Sequence, residues 1–368
     1  MNREVFYPPI GIAHITNDIS DLIKYKLNNQ NKIIINTSAQ PNSSPHLGTI
    51  TTIICSFALA KHLKEILNIE THILFDELEN SPAITYEIND NLYYKDLKHT
   101  LNENGEDLAT VYMQRFEKIL DKISMLSQID YNIRTYNEFQ ENYFVRESVI
   151  KAFNDKEYFT KLLFPSANDL HIRSICPYCY LGKKRIKNLA EYHNLESVEL
   201  IEECPYHGKY NTIIQKNNHS YIDINTQFRD LTKGVSFIEE DKINNTLTIM
   251  LDGGDWGGIW AQRIHTEGMI RLGYNEFPIR LFAPVILDWS GAKFSKSLYL
   301  KNDSYKNINQ AFINYDNFLK IYGEIGIEKL WDEVFSWVKE PKKFFRDYSV
   351  EYFENVFGGD SYAKTRTR

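Results

Sequence analysis

The chain has no apolar run approaching the ~20 residues that a membrane-spanning helix needs. Its start, Met1-Asn2-Arg3-Glu4-Val5-Phe6-Tyr7-Pro8-Pro9, lacks the apolar core of a secretory signal. A membrane role and export are therefore not expected, and a cytoplasmic location is. Positive charge is not in excess either: 42 Lys and Arg stand against 49 Asp and Glu, for a net charge of −7. A protein that grips nucleic acid over a wide surface needs a basic footprint, so such a contact here has to come from a local patch. Internal repeats are absent. Cysteine is scarce, with four in 368 residues, and without a secretory signal a disulfide framework is not expected. What remains is ordinary for a soluble globular chain, 43% hydrophobic and 25% charged. It is long enough for two or three domains with real cores.

The few cysteines are placed informatively. Cys55 sits in the apolar stretch Thr51-Thr52-Ile53-Ile54-Cys55-Ser56-Phe57-Ala58 and reads as a small core residue. The other three fall in Cys176-Pro177-Tyr178-Cys179 and Cys204-Pro205-Tyr206-His207, two knuckles of like spacing with 24 residues between them. Cys176, Cys179, Cys204 and His207 supply the four ligands of a tetrahedral zinc site. Gly182 and Gly208 follow closely, where a backbone can turn back toward the sulfurs. A pair of unrelated reduced thiol pairs is the plainer alternative. A closed four-ligand site leaves no position for substrate, so the zinc is expected to hold an insertion together rather than to do chemistry.

Hydrophobic periodicity suggests an order of elements. Residues 32–36 read as a buried parallel strand, 47–66 as the following helix, 71–76 as a second strand and 107–125 as an amphipathic helix. A third strand at 131–136 precedes a helix through Phe144, Val149, Ile150 and Phe153. The buried-strand pattern resumes at 246–251, followed by a helix over 258–272 and a strand over 279–287. The expected organisation is a doubly wound parallel α/β sheet split in two: a first half over 1–155, an inserted zinc module over 156–245, a second half over 246–300, and a helical region over 301–368.

Three segments at strand ends carry residues suited to phosphate chemistry. In Pro45-His46-Leu47-Gly48-Thr49, Pro45 suits the start of a helix and His46 can bond phosphate oxygens beside the helix N-terminus. Gly48 leaves room for a nucleotide against the backbone. Lys293-Phe294-Ser295-Lys296-Ser297 offers two fixed positive charges, on Lys293 and Lys296, that can follow departing pyrophosphate. Leu251-Asp252-Gly253-Gly254-Asp255-Trp256-Gly257-Gly258 suits a backbone wrapped closely round a ligand, with carboxylates free to accept from ribose hydroxyls. Taken singly, each has a plain structural alternative: a helix start, a solvated lysine loop, a tight turn.

In this order the segments resemble the signature sequences of class I aminoacyl-tRNA synthetases, and the closest resemblance is to class I lysyl-tRNA synthetase. The Pro-His-Leu-Gly-Thr form fits that family. So do the acidic stretch Phe75-Asp76-Glu77-Leu78-Glu79 and the segment Trp337-Val338-Lys339-Glu340-Pro341-Lys342-Lys343. The resemblance covers roughly residues 30–350. It implies a nucleotide-binding fold, ATP with Mg2+, and adenylation of an amino acid with lysine favoured. It also implies catalytic roles for His46, Lys293 and Lys296. ATP would lie against Pro45, His46, Gly48, Thr49, Gly253, Gly254, Asp255, Lys293, Ser295 and Lys296. Thr37, Asp76, Glu77 and Asp252 would meet the amino acid. Phe294 stands where that family usually has a smaller side chain. Fewer than about eighty residues follow the second signature, too few for that family's anticodon-binding domain, so a truncated enzyme is expected.

The expected activity is therefore formation of an aminoacyl-adenylate, with tRNA, a carrier protein, a small amine or a peptide as acceptor. A regulator of the same descent that binds nucleotide or nucleic acid, or a nucleotidyltransferase of the same fold, are the alternatives. If tRNA is the partner, Lys183, Lys184, Arg185 and Lys187 after the first knuckle form the basic patch that would meet its acceptor end.

Overall fold

The computed structural model describes residues 16–166, 169–184, 190–258, 261, 263–295, 305 and 308–358. In chain order the strands are β1 (Lys32–Ala39), β2 (Glu70–Glu77), β3 (Pro82–Ile88), β4 (Asn91–Asp96), β5 (Tyr131–Thr135), β6 (Ile172–Arg173) and β7 (Gly182–Lys183). They continue with β8 (Ala190–His193), β9 (Ser197–Cys204), β10 (Gly208–Gln215), β11 (Asp223–Ile224), β12 (Thr246–Gly253) and β13 (Ile279–Ala283). The helices of the first two thirds are α1 (Asp21–Lys24), α2 (Leu47–Leu67), α3 (Leu108–Ser127), α4 (Tyr136–Glu141), α5 (Tyr143–Asn154), α6 (Lys156–Leu163) and α7 (Thr226–Asn244).

A five-stranded sheet in the order β13-β12-β1-β2-β5 forms the centre, and every neighbouring pair is parallel. Parallel neighbours need crossovers: α2 joins β1 to β2, α3 leads toward β5, and α7 returns the chain to β12. The strand order reverses between β1 and β12, the place where open α/β sheets bind ligands beyond the carboxyl ends of their strands. Each long crossover helix has a side-chain cap. His46 caps α2, Asp107 caps α3 through the Thr110 amide, and Asn225 caps α7 through the Gln227 amide.

Strand alternation divides the sheet into two unlike faces. Ile33 and Ile35, Ile73 and Phe75, Leu247, Ile249 and Leu251, with Ile279, Leu281 and Ala283, pack with α2, α3 and the helical segment Tyr315–Lys339, which breaks at Gly323, into one apolar core. The other face lies under α7. A second core is built there from α5, α6 and α7 together with Val198, Leu200 and Ile214 of the inserted sheet. That inserted sheet is the antiparallel β10-β9-β8. The knuckle between Ile175 and Gly182 is tied to the β3–β4 hairpin by β7. Buried Asp223 fastens the joint, accepting from Asn80, Tyr94 and Arg173.

The helix expected over 258–272 is found: Ala261, Arg263 and Met269–Arg271 are helical, with a π-turn over Ile264–Gly268 between them. The sequence reading and the structure part at two places. Helix α7 falls inside the expected module at 156–245, yet it packs over the central sheet, with Lys233 and Asp230 reaching β1, β2 and β13. The strand expected over 279–287 stops at Ala283, because Pro284 has no N–H to continue the ladder; Ile286–Leu287 pairs instead with Tyr348–Ser349.

Candidate active site and metal centre

The loop after β1 and the first turn of α2 bring Ser38, Asn42, Ser44, Pro45, His46, Gly48 and Thr49 to one cavity of about 390 Å3. The end of β12 adds Asp252, Gly253, Gly254, Asp255 and Trp256, and the lysine loop adds Lys293, Phe294 and Ser295. Segments about 245 residues apart in the chain thus meet at the carboxyl edge of the sheet. Lys296 and Ser297 lie outside the described residues.

The contacts between these segments are direct. The His46 ring stands edge-on to Phe294, with centroids 5.6 Å apart and planes at 89°. Its Nδ1 accepts from the Gly48 amide at 3.1 Å, so the ring caps α2 with one nitrogen and leaves Nε2 facing Thr49 at 3.5 Å. Phe294, where a smaller residue was expected, is buried and donates its amide to the Ile286 carbonyl; its bulk is what fixes the imidazole plane. Lys293 is ion-paired with Asp255, which binds the lysine loop to the glycine loop. At Gly254 a Cβ would lie 2.9 Å from the Ala283 carbonyl oxygen, so only glycine lets this turn sit against the end of β13. Trp256 is 41% exposed at the cavity rim.

The other end of the cavity is polar for a reason set by the sheet. On the α7 face the central strands carry the polar residues Asn36, Asp76, Arg134, Asp252 and Arg280. Helix α7 meets them with Arg229, Asp230 and Lys233, spaced to share one side of a helix. Lys233 contacts Asp76 at 2.8 Å and Asn36 at 3.4 Å. Arg134 holds Asp76 through two bonds of 2.8 and 3.1 Å. Arg280 reaches Asp252 at 2.9 Å, is ion-paired with Asp230, and donates to His265 Nε2 at 2.7 Å. Gly234 makes room for that imidazole, since a Cβ there would fall 2.8 Å from its Cε1. Burial works against ionised Asp76, but Arg134 and then Lys233 overcome it and hold the carboxyl well below its usual range.

Several sequence-assigned residues therefore stand elsewhere. Asp76 and Glu77 point to opposite faces of β2, as consecutive strand residues must, so no single acidic group with Glu79 is assembled. Asp76 is 2% exposed and already neutralised by two cations. Glu77 and Glu79 line a separate, larger cavity beside α3 and the inserted sheet. Burial, and then Glu79, push the Glu77 carboxyl up to about 7. Glu79 instead accepts the backbone amides of Tyr136 and Asn137 at the start of α4. Thr37 is buried and lies outside the lining of the cavity shared by His46 and Lys293. Asp252 does line the cavity but is bonded to Arg280. The sequence reading missed Arg229, Asp230, Lys233, Arg280 and His265. For Arg280 the visible signal was a lone charged residue interrupting an apolar strand run.

Some distance along the chain, Cys176, Cys179, Cys204 and His207 come together with their ligand atoms all within 4.8 Å of one another. Cys179 Sγ lies 3.5 Å from Cys204 Sγ, and His207 Nδ1 lies 3.5 Å from both Cys176 Sγ and Cys204 Sγ. Bonds of ~2.3 Å to sulfur and ~2.0–2.1 Å to nitrogen in a tetrahedron place such atoms about 3.5–3.8 Å apart. The donor set and its spacing fit zinc. Three sulfurs from two hairpin turns have no other reason to converge in reduced form, and a metal there would pin the two knuckles to each other. Of the basic patch, Lys183 and Lys184 continue β7, with Lys184 reaching Thr85; Arg185 and Lys187 lie outside the described residues.

No family model matches the sequence, and no curated protein matches it. Solved structures do resemble the chain. Mycobacterium tuberculosis methionyl-tRNA synthetase in complex with methionyl-adenylate is 10% identical with a TM-score of 0.45, over 88% of this chain and 68% of that one. A Campylobacter jejuni protein described as an arginyl-tRNA synthetase is 13% identical with a TM-score of 0.36, over 88% and 66%. Elizabethkingia anophelis glutamate-tRNA synthetase is 10% identical with a TM-score of 0.33, over 72% and 53%. The chain spans between about half and two thirds of the length of these structures. Among the described residues no helix is long and apolar enough to cross a membrane.

Proposed function

We propose that the protein activates an amino acid with ATP, forming an aminoacyl-adenylate in the manner of a class I aminoacyl-tRNA synthetase. One observation carries this reading: the histidine and lysine segments line one cavity at the switch point of a parallel sheet, in contact through His46 and Phe294. ATP enters as its magnesium complex. Its phosphates lie at the N-terminus of α2, where helix amides, His46 Nε2 and Lys293 offer donors and positive charge. The adenosine lies along Gly253 and Gly254, with the Trp256 ring at the rim as an apolar face for the base. A carboxylate oxygen of the amino acid attacks the α-phosphorus. A bond forms from that oxygen to phosphorus, the bond from phosphorus to the bridging oxygen breaks, and pyrophosphate leaves with the electron pair. Charge grows on the transferring phosphoryl group, and pre-positioned donors are the means by which such a step is accelerated.

The adenylate then passes its acyl group to a nucleophilic hydroxyl or amine, at the acceptor end of a tRNA or on a carrier, peptide or small molecule, and AMP is released. The favoured status of lysine loses its support, because Asp76, Glu77 and Glu79 do not form one acidic group. Hydroxylamine trapping tests the activation step. Protein, MgATP and each of the twenty amino acids in turn are incubated with hydroxylamine. A hydroxamate from one amino acid supports activation, and AMP release without any hydroxamate contradicts it.

A further inference from the structure

Among the described residues, seven charged side chains line the nucleotide cavity, and six of them are paired: Asp230 and Asp252 with Arg280, Lys233 with Asp76, and Asp255 with Lys293. Arg229 is the exception. It is 8% exposed, lines the cavity, and has neither an ion pair nor a side-chain hydrogen bond among the described residues. A guanidinium carries five donors and cannot be neutralised by losing a proton at ordinary pH. Burying one without a partner is costly, so an empty place beside it is a place for an anion. Its setting adds to that. Arg229 stands in the first turn of α7, whose N-terminus favours negative charge, one helical turn above Lys233.

The position also separates this anion from the phosphates of ATP. His46 and the start of α2 belong to the apolar side of the sheet, whereas α7 lies on the opposite side, over Asn36 and Asp76. The carboxylate that is activated must meet the α-phosphorus at the His46 and Lys293 end. The anion at Arg229 is then a second one on the same substrate.

We infer that the amino acid activated here carries a side-chain carboxylate, and that Arg229 is the residue that binds it. This rests on the adenylation reading and replaces a cationic substrate with an acidic one. A planar fork matches a carboxylate bidentately, which an amide or an ammonium group in the substrate cannot reproduce. A neutral analogue would leave Arg229 buried and unpaired, which is the condition under which a site discriminates strongly.

The test uses the full chain and two variants, Arg229→Gln and Arg229→Lys. Pyrophosphate exchange is measured with glutamate, aspartate, glutamine and lysine, and binding of the same four is measured by calorimetry without ATP. The expected result is exchange driven by glutamate or aspartate. Arg229→Gln raises the KM for that amino acid by about a hundredfold and leaves the KM for ATP within about twofold, while Arg229→Lys falls between. The melting temperature of Arg229→Gln should equal or exceed that of the parent, because an uncompensated buried charge has been removed. A raised KM for ATP would reassign Arg229 to the phosphates and overturn the inference. Exchange driven by lysine or glutamine and indifferent to Arg229→Gln would overturn it too, as would loss of folding in that variant. If no amino acid supports exchange, the adenylation reading fails on its own. Calorimetric binding of glutamate or aspartate that disappears in Arg229→Gln would still uphold the acidic site, and no binding of either would end it.

Discussion

The two faces of the central sheet are built on opposite principles. Under α2 the strands present Ile33, Ile35, Phe75, Ile249 and Leu251 to an uninterrupted apolar core. Under α7 the same strands present Asn36, Asp76, Asp252 and Arg280, each bonded to a partner on α7 or a neighbouring strand. Apolar packing is tolerant of small changes, because a shortened side chain loses area and contacts in proportion. A buried charge network is not, because removing one member strands the others. One face supplies stability, and the other fixes the position of polar groups around a cavity while giving little stability of its own.

The largest difference between the faces should come from Arg280→Met. It leaves Asp230 and Asp252 buried without their common partner, and should lower the free energy of unfolding by about 3–5 kcal/mol. Ile35→Val, at the same depth on the opposite face, should cost about 1 kcal/mol. Urea denaturation of both variants checks this, and equal losses would dissolve the contrast. Next comes His46, which caps α2 on the apolar side of the sheet and, on the adenylation reading, faces the phosphates. His46→Ala should lower turnover by about 3 kcal/mol in transition-state energy and stability by about 1 kcal/mol. His46→Asn, which keeps a capping side chain, should recover the stability and not the turnover. Recovery of both would make His46 a structural cap only.

The legibility of the two faces in the sequence differs as their chemistry does. The apolar face announced itself, since β1, β2, β5 and β12 fall within a few residues of the runs that apolar content picks out. So did the helices α2 and α3. The histidine and lysine segments and the cysteine knuckles were found by their local spacing, and the structure brings the partners of each set together. The polar face was read only at Asp76 and Asp252. Its other residues are lone polar side chains scattered over the strands and one helix, each unremarkable until the parallel register aligns them. Asp76 and Glu77 were grouped because they adjoin in sequence, and the two-residue period of a strand is what sends them apart. Helix α7 was assigned to the inserted module because its length of chain lies there, while it packs both on that module and, through Asp230 and Lys233, on the central sheet.

A smaller effect should come from the metal. With zinc at Cys176, Cys179, Cys204 and His207, purified protein should contain close to one zinc per chain. Cys204→Ser or a strong chelator should remove it and loosen the hairpin β9–β10 while the central sheet stays folded. Hydrogen exchange resolved by segment would show protection lost at residues 197–215 and kept at 32–39. Uniform loss would mean that the knuckle supports the whole molecule. The smallest effect should be a pH dependence from Glu77 on the α3 side. Its folded-state pKa of about 7 is raised by burial and then Glu79 above the unfolded value. The stability this group contributes is fully present below the unfolded value, about 4.3, and is lost as pH rises through 7. Glu77→Gln should therefore gain on the parent between pH 4.5 and 7.5 and level off above. A constant difference across that window would place the ionisation of Glu77 elsewhere.

The central claim is that the two segments meeting at His46 and Phe294 form one adenylating centre. Amino-acid-dependent exchange of labelled pyrophosphate into ATP, run over the twenty amino acids with the parent chain and His46→Asn, tests it most directly. The account predicts exchange with one amino acid, or with a closely related pair, that falls by about a hundredfold in His46→Asn at unchanged thermal stability. Exchange of the same size in both proteins, or none with any amino acid while ATP still binds, would contradict it.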